Sequence, residues 1–190
     1  MTAAPVLRTD RLLLRGWTDA DRAPYAAMNA DPEVMRYFPS TLSPERSDAH
    51  VDHIARHFAE HGFGLWAVEV PGEVPFIGFV GLDVPTFDAH FTPTVEIGWR
   101  LAQAYWRRGY ATEAARAVLD DAFGRAGLAE VVSMTAVPNE PSQRVMQRLG
   151  MHRDPADDFE HPNVAPGHWL RHHVLYRITA EEWQRYRSGT

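Results

Sequence analysis

The segment from Tyr105 to Ala115 constrains the fold more than any other part of the sequence. It lies between a predicted strand that ends at Leu101 and a predicted helix that runs from about Ala111 to Phe123. Gly109 and Ala111 stand where this helix begins, so backbone N–H groups remain unpaired and a bulky anion can approach them closely. Two arginines lie in the same turn. The segment therefore predicts a binding site for a phosphate or pyrophosphate, and hence for a nucleotide-bearing cofactor.

The rest of the chain predicts a mixed sheet with helices packed on it. The order is one strand, several helices, three strands, and then helix, strand, helix and strand, which is not a regular βαβ series. The predicted strands are Arg11–Arg15, Gly64–Val70, Phe76–Leu82, Thr94–Leu101, Glu130–Val137 and Val174–Ile178. The predicted helices are Asp19–Met28, Asp31–Arg36, Pro44–His61, Ala111–Phe123, Ser142–Leu149 and Ala180–Arg187.

The composition is that of an ordinary globular domain. With 190 residues, 45% apolar and 23% charged, the chain is predicted to form one domain with its own core. No run of about 18 apolar residues is present, which predicts no transmembrane helix. Residues 1–10 lack the basic-then-apolar order of a signal peptide. Cysteine is absent, so disulfides and thiolate metal sites are excluded. Together these features predict a cytoplasmic protein.

The charged residues limit the chemistry further. The net charge of −6 argues against a general nucleic-acid-binding protein. All 19 basic residues are arginine, so Schiff-base chemistry and Walker-type phosphate binding, which need lysine, are excluded. Every cationic phosphate contact must come from a guanidinium group, which can bind in a bidentate way.

Three segments carry a family resemblance when they are taken together. They are Val95–Leu101 (VEIGWRL), Trp106–Ala114 (WRRGYATEA) and Asn139–Met151 (NEPSQRVMQRLGM). Their order and spacing resemble the GNAT superfamily of acyl-CoA-dependent N-acetyltransferases. They are most similar to the branch that contains the ribosomal-protein alanine acetyltransferases, as is the earlier segment Asp31–Tyr37 (DPEVMRY). The resemblance extends over nearly the whole chain, from about Arg8 to Ile178.

The resemblance implies a fold and an activity. The fold is α+β, a single domain over residues 1–190 with its core at about 8–179. A central, twisted, mostly antiparallel sheet of about seven strands is flanked by helices and splayed between its fourth and fifth strands. The activity is direct transfer of an acetyl group from acetyl-CoA to a primary amine, without an acyl-enzyme and without a metal. The protein is expected to be a monomer or a homodimer.

Two questions stay open from the sequence. The acceptor is either a protein N-terminus or a small-molecule amine. The alternative function is a coenzyme A-binding regulatory or interaction protein with little or no catalysis. This alternative arises because Met146 stands where many members of the superfamily have a tyrosine, and methionine cannot donate a proton.

The coenzyme-binding residues are assigned by the resemblance. The loop at Gly109 holds coenzyme A in this superfamily. Trp106 stands where many members have Gln or Arg, so one cationic side chain is missing here. Arg107 and Arg108, which follow it, can supply the positive charge. For this segment alone, an ordinary strand–turn–helix corner is the alternative. Arg144 and Arg148 are either contacts of the ribose phosphate or solvated helix charges. The full assigned set is Trp99, Leu101, Arg107, Arg108, Gly109, Tyr110, Ala111, Thr112, Asn139, Ser142, Arg144 and Arg148.

Glu96 and Ser142 are the predicted catalytic residues. Glu96 alternates with Val95 and Ile97 along a strand, so it points to the opposite face and can line a cleft. The resemblance makes Glu96 the base, directly or through a water; a water-exposed strand glutamate is the alternative. It makes Ser142 a hydrogen-bond partner of the departing thiolate, and simple helix N-capping is the alternative.

Further polar and aromatic residues are candidates for binding the acceptor or a metal. The residues assigned to acceptor binding are Met35, Tyr37, Phe38, Glu96, His161 and His168. The two histidines flank the polar loop 154–167, which can close over the acceptor. His53 and His57 are four residues apart, a spacing that can hold zinc, but Ile54 stands where a zinc protease has its glutamate. An exposed or half-buried helix face is the favoured interpretation.

Overall fold

The computed structural model describes residues 4–189. The predicted domain bounds also include residues 1–3 and 190, which lie outside the described part. The strands are β1 (Leu7–Arg8), β2 (Leu13–Arg15), β3 (Leu65–Val70), β4 (Val74–Asp83), β5 (Glu96–Leu101), β6 (Glu130–Ala136), β7 (His152–Arg153), β8 (Phe159–Glu160) and β9 (His172–Thr179). The α-helices are α1 (Arg22–Ala30), α2 (Pro44–His61), α3 (Tyr110–Phe123), α4 (Glu140–Arg148) and α5 (Ala180–Ser188).

One sheet joins all the strands. Their order is β1-β2-β3-β4-β5-β6-β9-β7, and β8 also pairs with β9. Every pair is antiparallel except β5 and β6. The parallel pair is joined by α3, as a parallel connection requires a crossover. The predicted α+β class with a mostly antiparallel sheet is therefore confirmed.

The sheet opens between β5 and β6. In the described part of the chain, Glu96 of β5 and Val132 of β6 are the only residues of these two strands that pair in register. Next to them, the Val132 N–H donates to the carbonyl of Val95 at 2.9 Å, and the Ser133 hydroxyl donates to the carbonyl of Ile97 at 2.9 Å. Beyond Ile97 the two strands separate. They correspond to the fourth and fifth predicted strands, so the splay occurs where it was predicted.

Both faces of the sheet are covered by helices. On one face, Phe79 of β4 packs against Tyr25 of α1 and His50 of α2. On the other face, Ile97 and Leu101 of β5 join the core cluster that includes the buried side of α3. Among residues 4–189, no helix combines the length and the apolar character that crossing a membrane requires.

Two predictions about the elements need correction. Within residues 4–189 the sheet has nine strands rather than about seven, because two-residue strands such as β1, β7 and β8 add to it. The predicted helix Asp31–Arg36 is a series of turns. The Asp31 carboxylate accepts the N–H of Glu33 at 2.9 Å, which offers the backbone an alternative to a continued helix.

Candidate functional site

A cavity of about 870 Å³ lies at the opening between β5 and β6. Of the residues assigned to coenzyme A, only Arg108 does not line it. Of those assigned to the acceptor, Met35 and His168 do not line it. The predicted residues that do line it are Tyr37, Phe38, Glu96, Trp99, Leu101, Arg107, Gly109, Tyr110, Ala111, Thr112, Asn139, Ser142, Arg144, Arg148 and His161.

The turn before α3 presents a row of unpaired backbone N–H groups. Gly109 is the N-cap of α3 and has a φ of 82°, in the left-handed region that favours glycine. The first helical bond runs from the Glu113 N–H to the Gly109 carbonyl. Within the described chain, no acceptor is present for the N–H groups of residues 107–112. This row, together with the positive end of the helix dipole, suits a pyrophosphate.

A cross-link from β1 and β2 holds this turn in place. Arg11 lies in the connection between these strands, and its guanidinium donates to the Arg108 carbonyl at 3.0 Å and to the Glu113 carboxylate at 2.7 Å. Glu113 also accepts from the Thr9 hydroxyl at 2.6 Å. Burial alone would raise the pKa of Glu113, but the hydrogen bonds from Thr9 and Arg11 bring it below its usual value. Arg108 itself lies over the ring of Tyr105.

Between Ile97 and Leu101, the backbone of β5 is free on the side that faces β6. The Ile97 carbonyl accepts a hydrogen bond from Ser133 on that side. Because residues two apart along a strand direct their N–H and C=O groups to the same side, those of Trp99 point into the gap. At the end of the gap, the Trp106 indole N–H donates to the Leu101 carbonyl at 2.7 Å. An extended chain in the gap can therefore hydrogen-bond to Trp99 as an added strand would.

Glu96 occupies the base of the opening. It is in register with Asp83 on β4 and with Val132 on β6, and its side chain lines the cavity. Burial, followed by the nearby Asp83 carboxylate, raises the pKa of Glu96 to about 8 against the opposing effect of a hydrogen bond from the Met134 backbone. The carboxyl group therefore holds its proton at neutral pH and releases it in the range where amines begin to deprotonate.

Ser142 is held by two hydrogen bonds in which its oxygen is the acceptor. They come from the Trp99 indole N–H at 3.3 Å and from the Asn139 side-chain amide at 3.1 Å. Asn139 is the N-cap of α4 and accepts the Ser142 N–H through its side chain. The N-capping alternative for Ser142 is thus wrong. Its hydroxyl proton has no acceptor among residues 4–189, and its side chain lines the cavity.

The arginines of α4 lie at the outer part of the cavity. Arg144 is 63% exposed and pairs with Glu140 at 2.8 Å. Arg148 is exposed and has no carboxylate partner within the described chain. Met146 also lines the cavity and is buried, with 1% of its surface exposed.

The residues assigned to the acceptor fall into two groups. Tyr37 and Phe38 lie in the turns after α1, and Met35 is buried behind them. His161 follows β8 and packs on the ring of Phe87. Burial and a neighbouring imidazole lower the pKa of His161 to about 4, so it is neutral at pH 7. His168 is in ring contact with the exposed Trp169 and does not line the cavity.

The histidines of α2 do not form a metal centre. His57 is buried, and its Nδ1 lies 3.0 Å from the Phe63 carbonyl. Its Nε2 lies 3.1 Å from the Asp83 carboxylate, although the two groups are not aligned for a hydrogen bond. Within residues 4–189, no group of three or more His, Asp or Glu side chains is arranged to hold a metal ion.

Arg100 is a residue of the site that was not predicted from the sequence. This residue lines the cavity on the same face of β5 as Glu96, and its guanidinium donates to the Asn29 side chain at 2.7 Å. It lies 4.2 Å from the ring centre of Phe38. The alternation Glu96, Gly98, Arg100 along a strand was the pattern that could have identified it.

The chain is similar to known acetyltransferases in sequence. Residues 11–152 match the family described as acetyltransferase (GNAT) domain. The FsC-acetyl coenzyme A-N(2)-transacetylase of Aspergillus fumigatus is 33% identical over an alignment of 191 residues, which covers 96% of this chain and 80% of that protein. The uncharacterized protein YkkB of Bacillus subtilis is 33% identical over 153 residues, which cover 80% of this chain and 88% of that protein.

The chain is also similar to solved acetyltransferase structures in its fold. A GNAT-family acetyltransferase from Bacillus anthracis superimposes with a TM-score of 0.76 at 27% identity, covering 93% of this chain and 99% of that chain. The ribosomal-protein-S5-alanine acetyltransferase of Vibrio fischeri shares the fold, with a TM-score of 0.74 at 18% identity over 94% of this chain and 98% of that chain. The chain therefore belongs to the GNAT family of acetyltransferases.

Proposed function

We propose that the protein transfers the acetyl group of acetyl-CoA to a primary amine by direct attack of the amine. The observation that carries this proposal is one continuous cavity shared by three features. They are the unpaired N–H groups of the turn at Gly109, the carboxyl group of Glu96 and the hydroxyl of Ser142. A cysteine nucleophile is not available, so an acyl-cysteine does not enter the mechanism.

The cavity fits coenzyme A in its chemistry. The N–H groups of residues 107–112 would hold the pyrophosphate, and Arg107 and Arg148 are cations beside it. The Trp99 carbonyl would accept an amide N–H of the pantetheine arm, as it would from an added strand. When bound, acetyl-CoA supplies a thioester, whose carbonyl carbon accepts the amine.

Two side chains and one backbone group then account for catalysis. Ionised Glu96 takes the proton of the attacking amine, directly or through a water. The Trp99 N–H, fixed in the gap, stabilises negative charge on the acyl oxygen as the C–N bond forms. As the C–S bond breaks, Ser142 donates its hydroxyl hydrogen bond to the departing thiolate. Most of the acceleration comes from positioning and from these fixed dipoles.

Two classes of amine acceptor are compatible with this chemistry. A protein N-terminus and a small-molecule amine both present the nucleophile that this chemistry needs. The name of the Aspergillus fumigatus relative describes an N-acetyl transfer from acetyl coenzyme A. That relative supports amine acetylation in general and does not distinguish between the two classes of acceptor.

Coenzyme binding is tested with two matched glycine variants. Gly109→Glu puts a side chain and a negative charge into the turn where the N–H row lies. Gly127→Glu is the control, because Gly127 also has a positive φ, 66°, and open space around it, but lies outside the cavity. We expect calorimetry to show no coenzyme A binding for Gly109→Glu and wild-type affinity for Gly127→Glu. Equal affinity for both variants would contradict the pyrophosphate assignment.

A further inference from the structure

Arg100 is half-buried, and its guanidinium has no counter-ion among residues 4–189. One hydrogen bond holds it, from Nη1 to the Asn29 side-chain oxygen at 2.7 Å. The Nε atom is buried and has no hydrogen-bond partner. In the described part of the chain, Arg100 forms no ion pair with a carboxylate. By contrast, Arg15 pairs with both Asp21 and Glu69, at 2.8 and 2.9 Å.

The surroundings of Arg100 are neutral. The ring of Phe38 lies 4.2 Å from the guanidinium carbon, and the ring of Phe79 lies 5.4 Å from it. Tyr25 and His50 hydrogen-bond each other at 2.5 Å nearby. Burial, together with the Arg100 charge, lowers the pKa of His50 to about 4, so its imidazole carries no charge at pH 7.

Such a charge is costly for the folded protein by itself. Burial lowers the pKa of Arg100, but an arginine stays protonated in proteins. An isolated charge in a protein interior loses its hydration and destabilises the fold unless a partner compensates it. Because Arg100 lines the cavity, a ligand in that cavity can supply the partner. A guanidinium matches the two oxygens of a carboxylate.

The space between Arg100 and Glu96 suits a small molecule. Both residues are on the cavity face of β5, four positions apart, or about 13 Å along the strand. Gly98 lies between them, and a Cβ added there would meet no atom within 4 Å. Glu96 and Asp83 make the other end acidic, so this face presents a cation at one end and carboxyl groups at the other.

We propose that the acceptor is a small amino acid, whose carboxylate pairs with Arg100 while its amine lies over Gly98 toward Glu96. This inference rests on the proposed acetyl transfer and names its substrate class. It favours a small molecule over a protein N-terminus, because the carboxylate of an N-terminal residue is lost in the peptide bond.

The test compares amino acids with their carboxamides. Thiol release from acetyl-CoA is measured for the wild type with glycine, β-alanine and 4-aminobutyrate, and with the amide of each. We expect kcat/KM to be about 10- to 100-fold higher for the acid in at least one pair, the value of a hydrogen bond to a charged group. Equal or higher values for every amide would overturn the inference and leave acetyl transfer intact. No release with any amine would overturn both.

A pair of variants assigns the preference to Arg100. Arg100→Met should abolish the preference for the acid, with a melting temperature equal to or above that of the wild type, because an uncompensated charge is removed. Arg36→Met is the control, since Arg36 is an exposed arginine at the cavity edge that pairs with Glu33 at 3.5 Å. It should keep the preference. An acid-to-amide ratio that Arg100→Met leaves unchanged contradicts the proposal, and if this variant does not fold, the wild-type ratio decides.

Discussion

Glu96 of β5 lies in register with Asp83 of β4 at the point where the sheet opens, so two carboxyl groups share one face beside the cavity. Burial disfavours the ionised form of Glu96, and the like charge of the neighbouring Asp83 adds to the effect. The pKa of Glu96 is consequently raised to about 8. A carboxyl group with this pKa is matched to a proton transfer near neutral pH.

Glu96→Gln should remove a limb of the pH–rate profile. If Glu96 is the base, kcat/KM of the wild type rises with pH until the group is ionised, near pH 8. The variant should lose this rise. Above about pH 8, its kcat/KM should be about 100-fold lower than that of the wild type, a typical contribution of a general base. The profile is measured with one amine for both proteins, so that the ionisation of the amine is common to them. Superimposable profiles would remove Glu96 from the mechanism.

Asp83→Asn should move that limb rather than remove it. Without the neighbouring negative charge, the pKa of Glu96 falls, so the rise in kcat/KM should shift to lower pH. The maximal rate at high pH should change much less than in Glu96→Gln. A rise that stays at the wild-type pH would show that Asp83 does not act on the group that titrates.

The same carboxyl group should make folding stability depend on pH. Its pKa in the folded state, about 8, is above the ordinary value of 4.5. The folded protein therefore keeps a proton that the unfolded chain releases, and stability falls as pH rises between these two values. The loss is at most ~1.4 kcal/mol per pH unit. Urea denaturation should show Glu96→Gln gaining stability over the wild type from pH 5 to pH 8. A constant difference would contradict the raised pKa.

Ser142→Ala and Asn139→Ala should have opposite signatures. Asn139 caps α4, so its loss should lower the unfolding free energy by about 1 kcal/mol. Ser142 does not cap, so Ser142→Ala should change stability little and lower kcat about 10- to 100-fold, through the lost hydrogen bond to the thiolate. Thermal unfolding and steady-state kinetics of both variants make the comparison. If the role of Ser142 were purely structural, Ser142→Ala would lower the unfolding free energy and leave kcat unchanged.

Arg11 should support coenzyme binding from outside the cavity. Its hydrogen bonds to the Arg108 carbonyl and to Glu113 fix the turn, although Arg11 does not line the cavity. Arg11→Gln should weaken coenzyme A binding several-fold by loosening the N–H row, as a lost preorganisation does. Arg8→Gln, a nearby arginine on β1, should bind like the wild type in calorimetry. Equal affinities of all three proteins would show that the turn needs no such support.

The sequence predicted the parts of the site that depend on local pattern. The turn at Gly109 and the outward direction of Glu96 follow from a helix start and from strand alternation, which short segments define. The splay of the sheet came from the family resemblance.

Contacts between distant segments could not be predicted in this way. The partners of Arg100 are Asn29 on α1 and Phe38 in the following turns, and only the folded sheet brings them to β5. Asp83 fell just outside the predicted strand that ended at Leu82, so its effect on Glu96 was missed. Asn139 and Ser142 both suit a helix start, and only the hydrogen-bond geometry decides which one caps.

The most direct test of acetyl transfer is to detect both products of one reaction. Wild-type protein is incubated with acetyl-CoA and each amine of the panel, and mass spectrometry of the amine is combined with titration of the free thiol. The account predicts an N-acetylated amine and free coenzyme A in equal amounts. Tight coenzyme A binding with no acetylated product for any amine would contradict it and would favour a coenzyme A-binding protein without catalysis.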